Sequence, residues 1–154
     1  MTKNRKHLHL KQLDQKLSVF EIARQSVRPG IGWVRTIRQS LGMSLEQLGR
    51  KLSVSKQSVQ HLEKREASGS ITLNALHQAA EALDMELVYG FVPKGGSVLQ
   101  LVEEKARKMA TDIVMRTSHN MRLEDQAVSY QRLEEAITER TKEIMQELPK
   151  SLWD

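Results

Sequence analysis

The 154-residue chain contains no cysteine, only three prolines and only six aromatic residues. Without cysteine, disulfide scaffolds and Cys-ligated zinc sites are excluded, and a reducing cytoplasm is the expected compartment. Six aromatics, mostly set in apolar patterns, leave no platform on which unpaired bases could stack, so RNA is a poor partner. No apolar run approaches the ~18 residues of a membrane span, and the basic N-terminal stretch lacks the apolar centre of a signal peptide. The chain also lacks G-x-S-x-G, a P-loop, a dinucleotide fingerprint and an HExxH pair. The carboxylate pairs Glu103-Glu104 and Glu134-Glu135 have Lys and Arg nearby and read as solvated helix surface. Neither an enzyme nor a metal or other cofactor is expected.

What the chain does have is charge, placed unevenly. Residues 1–66 hold fourteen cations against five anions, an excess of nine, whereas the whole chain carries +5. The remainder is therefore acidic. A basic half joined to an acidic half suggests two roles, with a polyanion as the first partner.

Hydrophobic periodicity predicts a mainly all-α fold. Residues 4–27 read as a helix, with Leu8, Leu13, Leu17, Phe20 and Ala23 at three- and four-residue spacing. Arg28-Pro29-Gly30 ends it. Further helices fit Ile31 to Leu41, Ser44 to Leu52, Lys56 to Arg65 and Thr72 to Leu83, the last with Leu73, Leu76, Ala79, Ala80 and Leu83 inward. Ser44 and Gln47 have the spacing of a capping box, as do Ser97 and Gln100. Leu87 to Val92 reads as one short β-strand. A strand alone has unpaired amides, so it needs either a symmetry mate or a short extended piece such as Ser70 to Thr72. A long helix from Ser97 to about Thr117 should turn Leu101, Val102, Met109 and Ile113 to one face. Another runs from about Asp125 to Leu148. The expected organisation is a basic N-terminal helical arm (1–30), a central helical domain with a terminal strand (31–93), and a C-terminal helical region (94–154) that packs internally, dimerises or meets another partner.

The most informative stretch is Ser44 to Glu63, SLEQLGRKLSVSKQSVQHLE. Two short helices flank a turn of about three residues, with Leu48, Leu52, Val59 and Leu62 turned inward. Gly49 sits where close helix approach forbids a large side chain. This is the plan of a helix-turn-helix, in which one helix braces and the other is presented to a groove. The outward side of the second helix carries Lys56, Gln57, Ser58, Gln60, His61 and Lys64, with no acidic residue among them.

Arg38, Gly49, Ser55, Val59, Leu62 and Glu63 stand where the Cro/lambda-repressor-like helix-turn-helix family has its pattern, and the chain resembles that family. Two positions depart from it: Ser53 replaces the usual turn glycine, and Leu45 replaces a frequent phosphate-binding Gln. The resemblance implies an ion pair between Arg38 and Glu63. It also implies that Lys56, Gln57 and His61, with Gln60, face base edges in the major groove. Ser44, Ser55 and Ser58 should bond phosphates at helix N-termini, with Arg35, Arg50 and Lys51 as further phosphate contacts. Since one half-site gives little specificity, a homodimer on double-stranded DNA is expected.

A wider likeness runs through Gly32-Trp33 to Arg38, Gly69 to Leu73, Ala79 to Tyr89 and Leu152-Trp153-Asp154. On these residues the chain resembles the family called mobile mystery protein A. Its members sit on mobile elements beside a Fic-domain protein. The resemblance implies a transcriptional regulator of a toxin–antitoxin-like operon, or alternatively an antitoxin that binds and restrains the Fic-domain neighbour. The Ser/Thr-x-x-x-Glu-Gly/Asn motif of Fic-inhibiting proteins is missing from this chain.

Overall fold

The computed structural model describes residues 3–123 and 129–154. Among them are seven α-helices and two 3-10 helices, with no strand. The chain divides into two compact units: Ala23–Gly90, and Met1–Ile22 with Phe91–Asp154.

The 23–90 unit contains α2 (Trp33–Ser40), α3 (Leu45–Leu52), α4 (Lys56–Ser68) and α5 (Leu73–Ala82). Its core is Val34, Leu48, Val59, Leu62, Ala79 and Leu83, flanked by Ile37, Met43, Leu45, Leu52, Ile71, Leu76 and Ala82. Full burial of each large aliphatic side chain contributes about 1.5–3 kcal/mol. Leu73, expected inward, is 48% exposed because it is the first residue of α5, beside the Thr72 cap.

Leu87 to Val92 is not a strand. It has no regular secondary structure, and among the described residues Glu86–Val92 forms no backbone hydrogen bond. Val88, Tyr89 and Phe91 are exposed. The short piece at Ser70 to Thr72 is committed elsewhere. Ser70 N and Ile71 N both donate to Arg65 O, closing α4, and Thr72 Oγ1 accepts from Ala75 N, capping α5.

The other unit contains α1 (Lys3–Ser18), α6 (Val98–Leu123), α7 (Tyr130–Glu147) and a 3-10 helix, Lys150–Trp153. The helical run expected over 4–27 is interrupted after Ser18, and a 3-10 turn follows at Ile22–Gln25. Beyond Leu17 in this run only Phe20 is half-buried, while Val19, Ile22 and Val27 are each at least 70% exposed. Without a face to bury, a continued helix has little to hold it. Leu8 and Leu13 are also exposed, and it is Leu10 that packs against the core of this unit.

That core is Val102, Ala106, Ala110, Ile137, Ile144 and Leu152. The inward row of α6 is therefore Val102-Ala106-Ala110; of the expected face Leu101, Val102, Met109 and Ile113, Val102 lies in the core and Met109 packs against it. Leu101 and Ile113 are exposed. The small side chains of Ala106 and Ala110 allow α7 to lie close against α6. A start of α7 near Asp125 lies outside the described residues. The described helix begins after Ser129, whose Oγ accepts from Arg132 N at 3.4 Å. At the head of α6, Gln100 N donates to Ser97 Oγ, but the Gln100 side chain turns to Glu104, so only half of the expected capping box forms.

Candidate nucleic-acid interface

The α3–α4 pair is built from local rules. Gln47 N donates to Ser44 Oγ at 3.1 Å and Ser44 N to Gln47 Oε1 at 2.7 Å, a complete capping box that fixes where α3 starts. At the other end Ser53 adopts the left-handed conformation, φ 56° and ψ 40°. For a residue with a Cβ this costs about 1–2 kcal/mol. The turn is tight enough that a Cβ on Gly49 would lie 2.7 Å from Val54 O, which is backbone and cannot swing away. Glycine is therefore required at 49. Ser55 then caps α4 by accepting from Ser58 N at 3.1 Å.

A buried ion pair braces α2 against α4. Arg38 Nε lies 2.6 Å from Glu63 Oε1, and Arg38 Nη2 lies 3.2 Å from Glu63 Oε2. The remaining arm, Nη1, donates to Met43 O at 2.9 Å. Both side chains are buried, and the two parallel bonds set orientation as well as distance.

With Val59, Leu62, Glu63 and Glu66 buried, α4 turns Lys56, Gln57, Ser58, Gln60, His61 and Lys64 to solvent. Ser44, Arg35, Arg50, Lys51 and Ser55 are exposed as well. Residues 34–89 match a family model described as helix-turn-helix. Over this segment the chain is similar to that helix-turn-helix family, and the α3–turn–α4 arrangement has the same plan. No curated protein and no solved structure matches the chain.

A helix-turn-helix domain supports DNA as the partner and transcriptional regulation as the role. Within it, Lys56, Gln57, Gln60 and His61 share the open side of α4, the second helix of the motif. The hydroxyls of Ser55 and Ser58 lie 2.9 Å apart at its N-terminus, where backbone N–H groups point outward. Two of the cations have acidic neighbours: Lys56 Nζ is 3.9 Å from Glu46 Oε1, and Lys51 Nζ is 3.6 Å from Asp84 Oδ2. Arg35 and Arg50 form no ion pair among the described residues. Leu45, where the family has its Gln, packs against the core and offers no polar group.

Sequence reasoning missed Glu66. Its carboxylate accepts from Trp33 N (2.7 Å) and Val34 N (2.9 Å), so a side chain from α4 caps the N-terminus of α2. Gly32 makes room for it: φ is 88°, and a Cβ there would meet Glu66 Oε2 at 2.9 Å. Arg28 in turn donates to Glu66 O at 2.9 Å and Ala67 O at 3.3 Å, satisfying carbonyls at the end of α4. A signal was present, since an acid in the last turn of a helix opposes the macrodipole and calls for another partner. Among the described residues no helix is long and apolar enough to cross a membrane, and no group of three or more His, Asp or Glu could hold a metal.

Proposed function

We propose that the protein is a sequence-specific regulator of transcription, acting as a repressor of a mobile-element or toxin–antitoxin-like operon. The observation that carries the reading is the outward side of α4, which is cationic and amide-bearing, exposed along its length and free of carboxylates of its own. In the proposed mode α4 lies in the major groove. Lys56 suits guanine O6/N7, and Gln57 or Gln60 can bond adenine N6/N7 in bidentate fashion, each good pair giving about 1–3 kcal/mol of discrimination. His61 reads a further base edge. Ser44, Ser55, Ser58, Arg35, Arg50 and Lys51 hold the phosphates and set the register, with Lys51 and Lys56 exchanging their carboxylate neighbours for DNA. A homodimer places two copies of α4 on half-sites about 34 Å apart. The mobile-element setting rests on the family resemblance. The test is selection of bound duplexes from a random pool at two salt concentrations. A palindromic site whose preference persists at the higher salt supports the reading, whereas enrichment that vanishes with salt and shows no shared sequence contradicts it.

A further inference from the structure

Residues 3–20 contain a single carboxylate, that of Asp14. Its two oxygens accept from Val98 N (2.6 Å) and Leu99 N (3.1 Å), so the side chain turns inward to cap α6. Leu10 packs into the core beside it, and Lys6 Nζ donates to Glu147 O at 2.6 Å at the end of α7. With its one acid turned away, the outward side of α1 is cationic and polar: Arg5, His9, Lys11, Gln12, Gln15 and Lys16 are all exposed. Arg5 to Lys16 spans about 16 Å at 1.5 Å per residue. Duplex DNA presents about nine phosphate charges over that length, at one per ~1.7 Å.

We propose that this face of α1 is a second, sequence-independent contact for the phosphate backbone of duplex DNA. The inference rests on the DNA-binding reading above and adds to it a surface that the helix-turn-helix domain does not contain. Lys and Arg supply charge, and Gln12 and Gln15 supply amide donors, while no side chain on this face can recognise a base from within a groove it does not enter. A lipid surface fits less well, because the face carries no aromatic residue and Leu8 and Leu13 are its only large apolar groups.

The test uses the full chain with Arg5→Gln, Lys11→Gln and Lys16→Gln combined. Gln is a good helix former, so α1 is retained, and circular dichroism checks that it is. Binding is titrated over several salt concentrations on a selected duplex and on a scrambled duplex of equal length. Each phosphate neutralised contributes about 0.9 to the slope of log affinity against log salt. The triple variant is therefore expected to lose about 2–3 from that slope on both duplexes, with base preference unchanged. A charge-conserving variant, Arg5→Lys with Lys11→Arg and Lys16→Arg, should keep the wild-type slope. An unchanged slope in the folded triple variant overturns the proposal. So does a loss of binding to phosphatidylserine vesicles with no change on DNA, which would make lipid the partner. If the wild type shows no base preference, the helix-turn-helix reading fails, and the slopes on scrambled duplex still decide this one.

Discussion

The two units bury different kinds of polar side chain. In the 23–90 unit the buried polar residues are charged, namely Arg38, Glu63 and Glu66, and each ties α4 to another element. Among the described residues of the other unit they are neutral, Ser118 and Thr141, and the Thr141 hydroxyl bonds within its own helix to Ile137 O. There α6 and α7 meet through aliphatic rows and two alanines, and the carboxylate that spans two amides, that of Asp14, is only half-buried and joins α1 to α6. The contrast teaches where orientation is specified. An apolar interface permits neighbouring registers at modest cost, whereas a bidentate ion pair and a carboxylate across two amides permit one. In the helix-turn-helix unit both devices act on α4, the presented helix, and both are buried. The same arrangement draws Glu63 and Glu66 to the inner side of α4, leaving the outer side without an anion of its own.

The comparison can be broken at its strongest point first. Glu63→Ala leaves Arg38 buried with Met43 O as its one remaining partner, and removing one member of a buried pair is worth about 3–5 kcal/mol. Urea unfolding followed by Trp33 fluorescence, with Trp153→Phe to remove the second indole, should register that loss. Glu66→Gln keeps one acceptor for two amides and should cost about 1–3 kcal/mol in the same assay. A cost near zero for either would mean that apolar packing alone orients α4. Ser53→Gly relieves left-handed strain and should stabilise by about 0.5–1 kcal/mol after allowing for the greater freedom of glycine in the unfolded chain. The smallest effect is expected in the other unit. Thr141→Val removes a bond to a carbonyl already within a helix, with a change of about 0.5 kcal/mol in unfolding followed by Trp153.

Much of the 23–90 unit was legible before any coordinates, because its determinants are local. Ser44 and Gln47 are three residues apart, Gly49 precedes its turn by a few residues, and Leu48, Val59 and Leu62 fall on helical spacing. Asp14 was not legible, and Glu66 only as an acid in a helix's last turn with its partner unspecified. Their carboxylates cap helices that begin 32 or more residues away, and no local spacing records such a contact. On α6, Leu101 and Ile113 are exposed while Ala106 and Ala110 are buried, because close helix packing selects for small side chains. The strand expected at Leu87 to Val92 rested on side-chain type alone and does not form. Strand formation also needs a second edge, and composition cannot supply one. The side of α4 that faces solvent was legible as a pattern, since burying Val59, Leu62 and Glu63 leaves one outward set of residues.

The central claim is that this outward side reads bases, and Gln57 tests it most directly. Wild type and Gln57→Ala are compared on the selected duplex and on duplexes altered at each position in turn. The account predicts that Gln57→Ala retains overall DNA binding, loses about 1–3 kcal/mol of discrimination at one position of each half-site, and leaves the other positions unchanged. An unaltered preference at every position would contradict it.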